Sequence, residues 1–332
     1  MSVILTRSIL SIMGNKTSQY ATYKFDRDQL FYWCGEVVSG TAYVSSASVD
    51  EYKIKPEKMY VELIGEIGYT GTSTTTDSEG NTHHQTEYYS EPFYVQTITY
   101  TNGVKEDGDG QFIYPFQLPL AHHLPPSVGQ PTLYPHVRYS VSVSLNSKKW
   151  FKADKKQPFY ITVLPRVPVP SVFSLPTIYG NQNRKQVSLK GTMPKLNYIL
   201  LETITSSFEI VNPNRVLIKQ IAVSLIELDR ISGENRTNCV VEIISSATMN
   251  KNNEKINDTF SIQIPASYEM VKHPHTGGKD QLYLAPSFQF NGGIRRPLDI
   301  TVQYQLKIEV KCEGFRKDFD VQIPITIGTE IC

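Results

Sequence analysis

No catalytic signature is legible in these 332 residues. The chain has no GxSxG, HExxH, Walker A or GxGxxG sequence, so no local pattern sets up a nucleophile, a zinc pair or a phosphate cradle. No Ser/His/Asp set can be nominated without inventing geometry, and no catalytic residue is expected. Cysteine is scarce. Cys34, Cys239, Cys312 and Cys332 show no CxxC and no regular spacing, which fits a reducing compartment. Cys34 and Cys312 lie in apolar, strand-like runs and read as small buried hydrophobes. Charge of one sign is lacking as well. Residues 1–163 carry 14 Lys/Arg against 16 Asp/Glu, and residues 164–332 carry 19 against 16. That balance excludes a general nucleic-acid binder, which needs a basic face to release counterions from phosphates. The apolar start, MSVILTRSILSIM, is broken by Thr6, Arg7 and Ser8 and is too short to span a membrane. No long stretch shows a clean helical period.

What the chain has is alternation. In residues 300–312, Ile300, Val302, Tyr304, Leu306, Ile308, Val310 and Cys312 alternate with Thr301, Gln303, Gln305, Lys307, Glu309 and Lys311. A period of two predicts a strand with one dry and one wet face. Val137 to Leu145 repeats the pattern, with Val137, Tyr139, Val141, Val143 and Leu145 opposed to Arg138, Ser140, Ser142 and Ser144. Tyrosine, threonine, serine and valine are plentiful, which also favours strands. One such run closes each half of the chain, so two tandem antiparallel β-sandwiches are expected. Each would be about 150 residues and would bury roughly 70% of its unfolded surface, enough to hold without disulfides or metal.

The first half reads as strands at Leu30–Val44, Met59–Ile67, Phe93–Tyr100, Phe112–Leu118, Val137–Leu145 and Phe159–Leu164. Gly68–Tyr88 is polar and rich in Thr, Ser and Gly, and predicts a long mobile hairpin loop. Asn102-Gly103 predicts a turn, and prolines mark a loop at 119–135. Pro165, Pro168, Pro170 and Pro176 then punctuate a segment that cannot join a central sheet, because proline lacks the amide donor. The expected division is a sandwich at 20–164, a stiff proline-rich linker at 165–180 and a second sandwich at 181–332. In the second half, strands are expected at Gln186–Gly191, Ile204–Val211, Val216–Leu228, Cys239–Ser246, Asp258–Ile264, 300–312 and Phe315–Ile327.

Several short motifs match one family in order. YWCGEVVSG (32–40), VELIG (61–65), GQFIYPFQLP (110–119), LPPS (124–127) and the strand 137–143 resemble the N-terminal arrestin domain. IKQIAVSL (218–225), the strand 300–312 and PITIGT (324–329) resemble the C-terminal one. The resemblance covers about residues 20–329 and is closest to the arrestin-domain-containing proteins, or alpha-arrestins. It implies an immunoglobulin-like tandem sandwich, the arrestin fold, in a non-catalytic adaptor of membrane-protein trafficking or signalling. Cargo or receptor tails would be its partners, at the cytoplasmic side of the plasma membrane or endosomes. Alpha-arrestins usually recruit ubiquitin-ligase machinery through PPxY motifs. None occurs here, and the chain closes three residues after IGT, so a tail-less adaptor is expected. Retromer's arrestin-like subunit offers a coat-like alternative. A secreted or cell-surface adhesion sandwich is the other, on the sequons at Asn15, Asn235 and Asn257 and the apolar leader.

Two candidate sites concern membranes. Met13-Gly14-Asn15-Lys16-Thr17-Ser18 fits the myristoylation pattern, so translation from Met13 would make Gly14 a lipid acceptor. One such chain binds membranes only at about 10⁴ M⁻¹, so a second signal is needed. Lys148, Lys149, Trp150 and Lys152, followed by Lys155 and Lys156, form the only dense basic cluster and are the candidate contact to anionic lipid or phosphate. Its plainer reading is a solvated turn whose aromatics cover the sandwich end. His83-His84, His122-His123, His136, His273 and His275 read as loop histidines, since zinc needs three or four convergent ligands. Glu106–Gly110 lacks the spacing of an EF-hand and reads as a polar turn. No metal or cofactor is expected.

Overall fold

The computed structural model describes residues 21–45, 58–76, 80–100, 111–146, 156–170, 176–245, 252–270, 280–314 and 318–332. Those residues form strands and loops without a helix. The first half holds β1 (Ala21–Phe25), β2 (Phe31–Trp33), β3 (Val37–Ser45) and β4 (Lys58–Thr76). It continues with β5 (Thr82–Tyr100), β6 (Gln111–Pro119), β7 (His136–Asn146) and β8 (Lys156–Leu164). A short β9 (Pro168–Val169) leads to β10 (Thr177–Gln182), β11 (Ser188–Met193), β12 (Asn197–Ile199) and β13 (Thr203–Val211). Then come β14 (Ile218–Ile231), β15 (Glu234–Ile244), β16 (Lys255–Gln263), β17 (Ser267–Met270) and β18 (Asp280–Tyr283). The last are β19 (Phe288–Gly292), β20 (Leu298–Cys312), β21 (Phe319–Gly328) and β22 (Glu330–Ile331).

Each half is a sandwich of two sheets. In the first, β1-β3-β6 faces β2-β8-β7-β4-β5. In the second, β10-β11-β13-β16 faces β12-β21-β20-β14-β15, with β19 added to β20. Most pairings are antiparallel; the short β2/β8, β12/β21 and β9/β22 pairings are parallel. The alternating runs supply the interior. Ile300, Leu306, Ile308 and Val310 on β20 are fully buried, as are Tyr139, Val141 and Val143 on β7. Burying one such aliphatic side chain is worth about 1.5–3 kcal/mol. Pro115 falls on β6, a sheet edge, where its missing amide proton leaves no gap in a ladder. Cys34 and Cys312 are buried, and all four cysteines are free thiols.

Three expectations need correction. The serine face of β7 is not wet: Ser140, Ser142 and Ser144 are buried. β7 is an interior strand, flanked in register by Tyr60, Glu62 and Ile64 of β4 and by Tyr160 of β8. Short serines in that valley are shaded by their longer neighbours, and the Ser144 hydroxyl donates to Glu62 at 3.1 Å. Second, the described residues of Gly68–Tyr88 are mostly regular strand rather than a mobile loop. They form the outer part of a β4–β5 ribbon whose ladder runs from Gly68↔Ser90 to Thr76↔Thr82. Most of this outer ribbon is solvated on both faces, so no apolar alternation marks it; its threonines and tyrosines still favour extended backbone. Third, β14 runs to Ile231 and turns at Ser232-Gly233 into β15, which starts at Glu234. Both turn residues have positive φ, 50° and 91°, the signature of a two-residue type I′ hairpin.

The proline-marked connector also takes part in the fold. β9 pairs in parallel with β22. The Val167 amide donates to Thr329 Oγ1 at 2.7 Å, and the Thr329 amide donates to the Val167 carbonyl at 2.8 Å. This end of the connector is thereby tied to the end of the second sandwich. Residues 171–175 lie outside the described residues.

Candidate functional site

Most residues singled out from the sequence lie outside the described residues: Gly14, Lys148, Lys149, Trp150, Lys152, Lys155, His273, His275 and the acidic turn 106–110. Lys156 opens β8, its backbone paired with Ser144. The described histidines do not converge. His83 and His84 sit in the exposed ribbon, and His122 packs on Gly35. No group of three or more His, Cys, Asp or Glu among the described residues could hold a metal.

His136 is a correction to the loop reading. It opens β7 and is fully buried against Gly68, with Nδ1 2.6 Å from the Leu133 carbonyl. Nδ1 therefore carries the proton and donates, while buried Nε2 has no partner. Burial lowers its pKa, the Leu133 hydrogen bond raises it, Arg138 lowers it further and Glu66 raises it.

Among the described residues, the two buried carboxylates lie where the two sandwiches meet. Their placement is a matter of strand phase. Along β14, Ile221, Val223 and Leu225 point inward, and the same phase then places Glu227, Asp229 and Ile231. Glu227 and Asp229 are 1% and 3% exposed, values normal for leucine and costly for carboxylates. Their partners across the β14–β15 hairpin are Asn238 and Arg236, and on β20 Tyr304 and Val302. Directly paired residues share a face, so register alone gathers these groups.

Arg236 supplies the countercharge. Its Nε and Nη2 lie 3.1 and 2.5 Å from Asp229 Oδ2. Asp229 Oδ1 is buried without a partner. Asn238 Nδ2 donates to Glu227 Oε2 at 3.1 Å, and the Tyr304 hydroxyl lies 3.0 Å from Glu227 Oε1 and 2.6 Å from the Ala285 carbonyl. Burial, then the Glu227 charge, pushes the Asp229 carboxyl up to about 7 against the pull of Arg236.

The first sandwich closes on this cluster. Gly129 has φ +76°, and a Cβ there would come within 2.7 Å of Arg236 Nη1 and 3.0 Å of the Pro135 carbonyl oxygen. Glycine is thus required twice, for its left-handed backbone and for the guanidinium standing over it. Beside it, Glu234 accepts from both the amide and the hydroxyl of Thr70 on β4, the hydroxyl at 2.9 Å. Arg296 sits 4.9 Å over the Tyr69 ring and 3.9 Å from Glu91. Apolar contacts flank the polar ones: Phe93 meets Phe290 at 5.7 Å and Phe31 meets Tyr283 at 5.0 Å between centroids. A cleft of about 50 Å³ between Gly129, Arg138, Glu227 and Tyr283 has room for water and none for a larger ligand. This is a joint, built from groups of both halves.

Sequence reasoning missed the joint, although a signal was present. Continuing the inward phase of IKQIAVSL past Leu225 lands on two acids, a local break in pattern of the kind that marks strained or functional places.

Comparison with known proteins agrees with this architecture. Residues 21–169 match the family model described as Arrestin (or S-antigen), N-terminal domain. Residues 183–332 match Arrestin (or S-antigen), C-terminal domain. No curated protein matches the chain. No helix among the described residues is long and apolar enough to cross a membrane.

Proposed function

The chain belongs to the arrestin family, and from that premise we propose that it is a non-catalytic adaptor that holds the cytoplasmic tails of membrane-protein cargo. The observation that carries this reading is the pair of domain matches, in order, on two sandwiches locked by a shared joint. Such a body offers binding surface on both halves in a defined relative placement. Sheet edges are the contact surfaces of choice. β5 is the terminal strand of its sheet over Thr82–Tyr100, and an extended tail can add to such an edge through main-chain hydrogen bonds. Trafficking between membranes, contact with ligase machinery by a route other than PPxY, and peripheral membrane binding through Gly14 or the Lys148–Lys156 cluster belong to the same proposal.

Immobilised full chain, exposed to detergent-solubilised membranes of its source, tests the reading. Integral membrane proteins should be retained, and protease trimming of their cytoplasmic tails should release them. Retention of soluble proteins alone, or retention unaffected by trimming, overturns the adaptor role.

A further inference from the structure

We propose that the loop between Val128 and Val137 is a flap released by acid: His136, seated neutral in the niche that Gly68 leaves, pins it shut, and a proton on the ring unseats it. The ends of the flap are closed by Val128 and Val137, whose amides and carbonyls bond reciprocally at 3.0 and 2.9 Å. Between them Leu133 and Tyr134 fold back over His136. The ring's Nδ1 is 2.6 Å from the Leu133 carbonyl, and the Tyr134 ring centroid lies 4.8 Å from that of His136. His136 is fully buried, and a Cβ on Gly68 would overlap its ring. The flap is therefore seated by one side chain in one glycine's space.

The seated ring has no place for a second proton. Nδ1–H donates to Leu133, and buried Nε2 finds no partner among the described residues. A proton on Nε2 would make a buried N–H without an acceptor and a charge without water. Outside the niche, water serves both nitrogens, so the proton goes with the released flap. The titratable and charged groups around the niche come from every element packed there. β7 brings Arg138, and β4 brings Glu66, paired with Arg138 at 2.6 Å. β5 brings Tyr88, against Tyr134, and Ser90, whose hydroxyl donates to Glu66 at 2.6 Å. The β14–β15 hairpin brings Glu234 to Thr70 and Arg236 to Gly129. Release also uncovers the main chain of Gly68, which pairs with His136 while the flap is shut, and so lengthens the unpaired part of β4.

The direction follows from linkage. Below about 6.5, the ordinary histidine value, the released form binds a proton that the shut form refuses. Release therefore becomes easier as pH falls, by up to about tenfold per unit. Once pH passes below the seated ring's own lowered value, both forms carry the proton and the dependence ends. Burial is the chief cause of that lowering, opposed by the Leu133 hydrogen bond; the Arg138 charge adds to it and the Glu66 charge opposes it.

Hydrogen exchange of the Leu133 amide, which donates to the Gln130 carbonyl at 3.1 Å inside the flap, reads the release. The Leu120 amide, held by the Glu36 carbonyl at 2.8 Å outside it, reads any general loosening of the same sandwich. After correction for intrinsic exchange, the opening constant at Leu133 should be level above about pH 7.5 and climb toward about tenfold per unit below about 6.5, while Leu120 stays level. His136→Gln, neutral at every pH, should give a flat profile. Gly68→Ala, which fills the niche, should leave the flap released at pH 7.5, where the wild type is shut. If neither variant folds, NMR titration of the His136 ring in the wild type carries the test, and the ring should titrate below the ordinary histidine value. A flat wild-type profile, a slope of opposite sign, a slope kept in His136→Gln, Leu120 following Leu133, or a ring that titrates at or above the ordinary value overturns the proposal.

Discussion

β14 and β20 lie side by side, yet their inward faces part company at the Leu225–Leu306 pair. Beyond it β20 continues with Tyr304, Val302 and Ile300, while β14 continues with Glu227 and Asp229 before Ile231. Both stripes are buried to the same degree. Burial by itself therefore does not distinguish core from joint; the chemistry of what is buried does. An apolar stripe closes one sandwich permanently, because nothing is gained by returning it to water. A stripe that carries buried carboxylates can be released, because water welcomes what the interior only tolerates.

The contrast is broken most strongly on the core side. Leu306→Ala removes a fully buried side chain between β14 and β21 and should cost about 2–5 kcal/mol, read as a lowered urea midpoint for the second sandwich. A cost under about 1 kcal/mol would mean that this part of the interior is loosely packed. Arg236→Ala comes next. Stranding a buried charge costs about 3–5 kcal/mol when the charge must remain. Asp229 can instead take a proton, so the loss should be smaller at pH 6 than at pH 8. Denaturant unfolding at the two pH values checks this, and equal losses would contradict proton uptake by Asp229. The smallest effect belongs to Thr70→Val. It removes the hydroxyl donated to Glu234 while the amide keeps donating, so about 1 kcal/mol at most is expected. Faster proteolysis at the joint, with the urea midpoints of both sandwiches unchanged, is the sharper reading of that variant.

How much of this was readable beforehand depended on whether a segment's surroundings were its own. β7 and β20 alternate because one face of each meets a partner sheet, and that meeting is written in every second residue. The β4–β5 ribbon beyond Gly68 is not legible in the sequence because solvent surrounds most of it on both sides, which leaves only propensity as a signal. The hairpin at Ser232-Gly233 carries a turn dipeptide, but the half of β15 that follows it, Glu234–Asn238, is polar and shows no apolar alternation to mark a strand. His136 looked like a loop residue because nothing local reveals that Gly68, far back in the chain, leaves a hole of its size.

From the sequence alone came two sandwiches, their order, the buried faces of their principal strands and the family they resemble. Those features rest on interactions that repeat along the chain at a fixed period, so a short window contains them. The pairing of β9 with β22, the shading of the β7 serines and the meeting of Arg236 with Gly129 were decided by tertiary structure. Each joins residues distant in the chain and depends on where two finished surfaces touch, and no local periodicity encodes that.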